Sequence, residues 1–212
     1  PTPRGAFIME DPPVHTAHRK ALTRVFTPRR MNALEPQIRA FCAKSLDPLV
    51  EGGEFDFIAN LGMEMPMRVI SMLLGIPEED QKAVQALVNS NLTTEAGKPM
   101  DMENHRAMGE GFEGYIDYRI KHPSDDLMSE LLSMEFEDEN KKPRKFTRGE
   151  VLVIVNIIAG AGNETTNRLI GWTGKILAEH PDQRRKIYED RSLINQSIEE
   201  ILRFEPPGSS IA

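Results

Sequence analysis

A carboxylate and two hydroxyls in the middle of an apolar stretch are the side chains best placed for chemistry. Glu164, Thr165 and Thr166 come just after a pair of glycines, Gly160 and Gly162. A threonine hydroxyl can bond to the carbonyl four residues earlier and bend a helix, which predicts a widened turn with a loosened carbonyl. Such a turn would form a small polar pocket that holds a bound molecule and delivers protons. The glycines alone favour a different interpretation, the close packing of a neighbouring helix.

Two basic side chains near the start of the chain could hold an anion. His15 and Arg19 are four residues apart, so on a helix both would point the same way and could clamp one anionic group. A solvated helix end with scattered basic residues is the alternative. Further basic residues make this region a candidate docking patch for an acidic protein: Lys20, Arg24, Arg29 and Arg30. Nucleic acid is a weaker interpretation, because no aromatic residues alternate with the basic ones.

One further charged pair lies near the end of the chain. Glu200 and Arg203 are three residues apart and would share a helix face. Taken alone, such a pair is usually an exposed ion pair that contributes about 0.2–0.5 kcal/mol. It therefore indicates chemistry only if other motifs support it.

The composition excludes several classes of protein. Among 212 residues, 26 Lys and Arg stand against 33 Asp and Glu, a net charge of -7, which argues against a general nucleic-acid binder. The single cysteine, Cys42, excludes an internal disulfide and a multi-cysteine metal site, and it favours a reducing, cytoplasmic compartment. The longest apolar run, residues 151–162, is shorter than the roughly 20 residues that cross a membrane. We expect no membrane span.

The elements that must position these residues are almost all helices. A capping box, Thr147 with Glu150, begins an apolar run with no proline before Pro181, which predicts a buried helix of about 30 residues, or about 45 Å. Apolar spacing predicts further helices over 15–26, 31–50, 66–74, 125–134, 181–190 and 193–204, and two within 78–123 around residues 97–99. Residues 54–58 suit a short strand or an extended connector, and residues 135–145 a charged, solvated loop.

Four segments, taken in order, resemble the cytochrome P450 family of haem-thiolate monooxygenases. Residues 11–30 are similar to the C-helix region of its soluble bacterial branch, and Gly75-Ile76-Pro77 to the turn after its E helix. Residues 161–166, Ala-Gly-Asn-Glu-Thr-Thr, resemble the oxygen-binding motif of its I helix, and residues 200–203 its E-x-x-R motif on the K helix. The resemblance implies a mainly α fold with little β structure, a helical bundle around a long central I helix. It makes residues 1–212 a single partial domain, from the C-helix region through the K helix.

The resemblance also implies roles for individual residues. His15 and Arg19 would contact the propionates of haem b, and Ala161 and Gly162 would lie over the distal haem face. Glu164 and Thr165 would be catalytic, organising the waters that bring protons to dioxygen. Glu200 and Arg203 would be structural. Electrons would come from a ferredoxin-type partner docked near Lys20, Arg24, Arg29 and Arg30.

The family's metal ligand has no counterpart in this chain. The ligand is a cysteine in a loop after the K helix, and we expect it beyond Ala212, in a parent protein cut at both ends. Cys42 lies on the apolar stripe of an early helix and suits a buried structural thiol. Without a thiolate ligand the fragment alone should be inactive.

The implied reaction is insertion of one oxygen atom of dioxygen into a small apolar substrate. A methionine-rich segment, residues 85–118, would cover the pocket as a lid. Two alternatives remain: a helical ligand-binding module without redox chemistry, and a family member that performs isomerase or dehydratase chemistry.

Overall fold

Helices make up most of the structure, a computed structural model that describes residues 4–92 and 102–208. The helices are α1 (Val14–Thr23), α2 (Pro28–Ala33), α3 (Glu35–Leu46), α4 (Glu64–Leu74), α5 (Gln81–Leu92), α6 (Met102–Lys121), α7 (Leu127–Ser133), α8 (Arg148–Glu179), α9 (Pro181–Glu189) and α10 (Ile194–Phe204). Two short strands, β1 (Glu135–Glu137) and β2 (Pro143–Lys145), form the sheet seen in the described residues. The prediction of a mainly α fold with little β structure is confirmed.

The long helix begins and ends where its sequence signals predict. The backbone N–H of Glu150 donates to the Thr147 hydroxyl over 3.2 Å, and the backbone N–H of Thr147 donates to the Glu150 carboxylate over 2.8 Å. This reciprocal pair satisfies two donors at the start of α8. The helix then runs unbroken for 32 residues to Glu179, and Pro181 opens the next one.

Gly75 ends α4 as its sequence context predicts. Its φ of 73° lies in the left-handed region, and the N–H of Ile76 reaches back to the carbonyl of Ser71 over 2.9 Å. A Cβ at position 75 would also lie 2.3 Å from the Asp126 carboxylate. Only glycine meets both requirements.

The chain divides into two compact units, and each is described by itself. The first contains residues 1–38 and 67–160, and the second contains residues 39–66 and 161–212. The boundary on the long helix falls between Gly160 and Ala161, so α8 contributes its first half to one unit and its second half to the other. That residues 1–212 form a single domain stays a prediction.

The first unit holds the main apolar core. Among its fully buried side chains are Leu74, Val88, Phe112, Ile116, Met128, Leu131, Val151 and Ile154. Three of them, Val88, Phe112 and Ile116, come from the segment predicted to be a lid over a pocket. The ends of that segment therefore pack into a core, whereas its middle, residues 93–101, lies outside the described residues, as does the predicted turn at 97–99.

The prediction of a solvated loop over residues 135–145 is wrong. The two strands pair antiparallel, with Phe136 opposite Arg144. Phe136 is buried between the exposed Glu135 and Glu137, and its ring stacks on Phe146 at 4.3 Å. The buried Phe136 ring attaches this short hairpin to the core, although its flanking residues are charged.

The second unit packs a short helical turn against glycines of α8. A Cβ on Gly171 would lie 2.6 Å from Ile58, and a Cβ on Gly174 would lie 2.7 Å from the Phe57 ring. No strand forms over residues 54–58: Asp56 accepts the N–H groups of Ile58 and Ala59 at 2.9 Å each, which starts a helical turn instead. These glycines are needed for close packing.

Smaller differences concern element boundaries. The helix predicted over residues 31–50 is broken into α2 and α3 just before Pro36, and the predicted start at Pro66 lies two residues inside α4. Within residues 4–92 and 102–208, no helix has both the length and the apolarity that crossing a bilayer requires.

Candidate active site

The Thr165 hydroxyl lies one helical turn from the glycine-containing segment of α8. It donates a hydrogen bond to the carbonyl of Ala161 over 2.6 Å, as the sequence predicts for a threonine at this position. The predicted widened turn is absent from α8, which is α-helical throughout. Thr165 is exposed in the second unit, so both oxygen lone pairs can accept hydrogen bonds from water.

Glu164 is already engaged by a residue that sequence reasoning missed. Arg168, one turn further along α8, forms an ion pair with the Glu164 carboxylate, and it also donates to the carbonyl of Pro207 over 3.3 Å. The spacing of four residues is a signal that could have revealed this pair. One carboxylate oxygen of Glu164 is held by Arg168, which leaves the other available to water.

The predicted anion clamp lies on α1 in the first unit. His15 is half-buried and Arg19 is exposed, and the four-residue spacing places them on the same side of the helix. Neither side chain forms a hydrogen bond or ion pair with any residue that the structure describes. Two basic side chains without a protein anion are suited to an anionic ligand.

The predicted docking patch is partly committed to contacts within the chain. Arg24 donates to the carbonyl of Glu135 over 2.8 Å, and Arg30 forms an ion pair with Glu130. Glu130 therefore reduces the positive charge that this patch offers to a partner, and the Glu135 carbonyl occupies one donor of Arg24.

A buried polar network beside the clamp was not predicted from the sequence. His18 is fully buried; its Nδ1 lies 2.7 Å from Glu10, and its Nε2 lies 3.1 Å from Arg144. Arg144 in turn donates two hydrogen bonds, of 2.7 and 2.8 Å, to the buried carboxylate of Glu150. Burial works to raise the pKa of Glu150, but the hydrogen bonds and charge of Arg144, with the Thr147 hydrogen bonds, hold it below its ordinary value. The same pairing raises the pKa of Arg144.

Glu200 and Arg203 form a bidentate pair on the surface of α10. Arg203 donates to the two oxygens of Glu200 over 2.8 and 2.7 Å, and both side chains are exposed. The hydrogen bond from Arg203 lowers the pKa of Glu200, and the reciprocal contact raises the pKa of Arg203. The structure thus joins the two residues that the E-x-x-R motif pairs.

Cys42 does not have the surroundings of a metal ligand. Burial raises the pKa of its thiol, and Arg39 opposes this only in part. A raised pKa disfavours the thiolate that binds iron. Across residues 4–92 and 102–208, no group of three or more His, Cys, Asp or Glu side chains could hold a metal ion.

Comparison with known proteins identifies the family. The family model described as Cytochrome P450 matches residues 60–211, which include the Ala161–Thr166 motif and the Glu200–Arg203 pair. The chain belongs to the cytochrome P450 family. The P450 fold predicted from the four segments is thereby confirmed.

Individual P450 relatives are similar over almost the whole chain. Vitamin D(3) 25-hydroxylase of Pseudonocardia autotrophica is 38% identical over 98% of this chain and 50% of its own length. Cytochrome P450 130 of Mycobacterium tuberculosis is 31% identical over 97% of this chain and 51% of its own length. The structure of CYP109Q5 from Chondromyces apiculatus matches with a TM-score of 0.85 at 31% identity, over 99% of this chain and 51% of that one. The chain spans about half the length of the P450 relatives it matches.

The P450 family implies haem, and each unit, taken by itself, contains residues whose chemistry suits part of that group. His15 and Arg19 can both donate hydrogen bonds and form none with a described carboxylate, which suits the two haem propionates. In the second unit, Ala161 and Gly162 carry at most a methyl group, and the Thr165 hydroxyl donates to the Ala161 carbonyl. Cys42 does not fit the thiolate that would hold the iron, because burial raises the pKa of its thiol.

Proposed function

We propose that this chain is part of a haem-dependent monooxygenase that inserts one oxygen atom of dioxygen into an apolar organic substrate. The observation that carries the proposal is the Thr165 hydroxyl anchored beside Ala161 on α8, in a chain of the P450 family. Similar proteins are named as a hydroxylase and as an epoxidase, which supports oxygen insertion. Their names favour this function over a ligand-binding module, and the alcohol at Thr165 favours it over isomerase or dehydratase chemistry.

His15 and Arg19 would hold haem b by its propionates. Both could donate charge-assisted hydrogen bonds to carboxylates, and their position on one side of α1 lets them act together. Ala161 and Gly162 would allow close approach over the distal face because their side chains are small. When bound, haem supplies the iron at which dioxygen is activated.

Thr165 and Glu164 would hold and move protons at that face. The Thr165 hydroxyl proton points to the Ala161 carbonyl. The hydroxyl oxygen would therefore accept a hydrogen bond from a water molecule and hold that water in place. Rotation of the hydroxyl away from that carbonyl would let it donate in turn. Glu164 would pass protons from solvent water through the carboxylate oxygen that Arg168 does not hold.

Two further features of the family, the E-x-x-R pair and the cysteine ligand, would not take part in proton transfer. Glu200 and Arg203 would be structural, and the cysteine ligand would lie in the half of the P450 fold that this chain does not span. The fragment alone would therefore be inactive.

Electrons would arrive from a ferredoxin-type partner that docks on the basic patch. The compartment would be the reducing cytoplasm, where a protein with one cysteine is expected. The patch consists of Lys20, Arg24, Arg29 and Arg30. An apolar substrate agrees with similar proteins, one named for vitamin D(3) and one solved with hexadec-9Z-enoic acid on acyl carrier protein.

The propionate clamp can be tested by haem retention. In the longest natural chain that contains residues 1–212, His15→Ala and Arg19→Ala should each speed haem loss by about tenfold, the equivalent of one charge-assisted hydrogen bond. Arg29→Ala, which removes a nearby surface cation, is the matched control and should lose haem at the wild-type rate. Equal rates for all three variants would contradict the assignment.

A further inference from the structure

The His18 ring is held by hydrogen bonds on both of its nitrogens. Arginine can only donate, so Nε2 accepts from Arg144 over 3.1 Å and must be unprotonated. The ring proton is therefore on Nδ1 and is donated to the Glu10 carboxylate over 2.7 Å. This assignment gives the ring one defined tautomer.

The two hydrogen-bonding partners of His18 are themselves fixed. Arg144 is held by two hydrogen bonds to Glu150, at the start of α8. Glu10 accepts the backbone N–H of Gly5 over 2.9 Å with its other oxygen. The ring thus connects α1 to the chain before it, to β2 and to α8.

Aromatic contacts restrict the ring further. Phe136 meets it edge-on, with ring centroids 5.7 Å apart, and Phe146 lies at 5.5 Å. With no exposed surface and two fixed hydrogen bonds, His18 has one orientation available to it.

A side chain anchored in this way sets how α1 is turned about its axis. His18 lies three residues after His15 and directly before Arg19, and together with Ala21 and Leu22 it forms the buried face of α1. A helix with side chains has a radius of about 5–6 Å, so a rotation of about 20° would move the tip of a side chain by about 2 Å. That displacement is enough to break a hydrogen bond.

We propose that His18 is a positioning residue that sets the rotation of α1 and thereby aims His15 and Arg19 at the haem propionates. The inference rests on the proposed function, in which those two residues form the clamp. His18 itself touches neither haem nor substrate and acts only through its neighbours.

The test compares variants in the longest natural chain that contains residues 1–212, loaded with haem. His18→Leu removes both hydrogen bonds at similar volume, His18→Gln can still accept from Arg144, and His18→Asn is too short to do so. Haem loss from each variant is timed in the presence of an excess of a second, haem-scavenging protein. The thermal unfolding of each haem-free variant is measured separately. Ile116→Ala, in the same core but on α6, is the control for lost stability alone.

We expect His18→Leu and His18→Asn to speed haem loss by about tenfold, as the loss of one charge-assisted hydrogen bond would. His18→Gln should stay close to wild type, and Ile116→Ala should unfold more easily without faster haem loss well below its melting temperature. In a His15→Ala, Arg19→Ala background the His18 substitutions should add less than about twofold, because the residues through which His18 acts are gone. If His18→Leu does not fold, the contrast between Gln and Asn at this position carries the same test.

Two results would overturn the inference in distinguishable ways. In the first, the wild-type chain takes up haem normally, but the His18 substitutions speed haem loss as much in the His15→Ala, Arg19→Ala background as in the wild type, or His18→Gln and His18→Asn lose haem at equal rates. Either finding would show that His18 is only structural. A wild-type chain that takes up no haem would instead overturn the proposed function, and the inference with it.

Discussion

Replacement of Glu150 by glutamine should destabilise the first unit far more than loss of a surface charge. The carboxylate is buried and accepts two hydrogen bonds from Arg144 and two from Thr147. Glu150→Gln removes the charge and turns an amide NH₂ toward a guanidinium that can only donate. Breaking a buried pair costs about 3–5 kcal/mol, but the Arg144 side chain keeps 22% exposure, so we expect a loss of about 2–3 kcal/mol.

Urea unfolding followed by far-ultraviolet circular dichroism measures this difference. Asp117→Asn is the matched control, because Asp117 pairs with Arg148 in the first turn of the same helix but is exposed. Its loss should shift the unfolding midpoint too little to resolve. Equal midpoints for Glu150→Gln and Asp117→Asn would refute the assignment of Glu150 as the buried anchor of this network.

The same substitution should change how stability depends on pH. The fold holds the pKa of Glu150 below its ordinary value of 4.5. The contribution of the carboxylate is therefore complete above that value, and it is lost as the pH falls through the lowered pKa of the folded state. The stability difference between wild type and Glu150→Gln should be constant near neutrality and narrow in acid; a constant difference down to pH values well below 4.5 would contradict this.

Substitutions at three further positions, Thr165 and Gly174 on α8 and Gly114 on α6, test the remaining assignments. Thr165→Ala should leave haem binding intact but lower the product formed per reductant by roughly tenfold or more, with the electrons recovered as hydrogen peroxide. Thr165→Ser keeps the hydroxyl and should keep the wild-type yield of product per reductant. An unchanged yield in Thr165→Ala would disprove the proton role. Gly174→Ala should destabilise the fold by about 1 kcal/mol net, because its Cβ would meet the Phe57 ring at 2.7 Å and crowding outweighs the gain in helix propensity. Gly114→Ala, at a position on α6 with open space around it, should stabilise the fold by up to about 1 kcal/mol. If thermal unfolding showed that the two alanine substitutions change stability in the same direction, this account of the glycines would be contradicted.

Local signals in the sequence were sufficient for the elements that carry the candidate site. The capping box at Thr147 and the next proline, Pro181, bracket a helix that the structure places at Arg148–Glu179. Gly75 with Pro77 likewise marks the end of α4, because the left-handed backbone at position 75 is a property of a few neighbouring residues. The hydrogen bond from Thr165 to Ala161 spans one turn and was predictable for the same reason.

Contacts between residues far apart in the chain could not be predicted from the sequence. His18 meets Arg144, 126 residues away, and nothing in the pattern around either residue indicates the other. The hairpin was missed because its charged residues resemble a loop, and only the fold shows that Phe136 has a core to enter. The partner of Glu164, by contrast, lies four residues along the same helix and could have been predicted.

The most direct test of the central claim is the spectrum of the reduced carbon monoxide complex. The longest natural chain that contains residues 1–212 is expressed, loaded with haem, reduced and exposed to carbon monoxide. A Soret band at the thiolate-type position is the result that a haem-thiolate monooxygenase of the P450 family predicts. A histidine-type band, or no haem uptake by a folded chain, would contradict it.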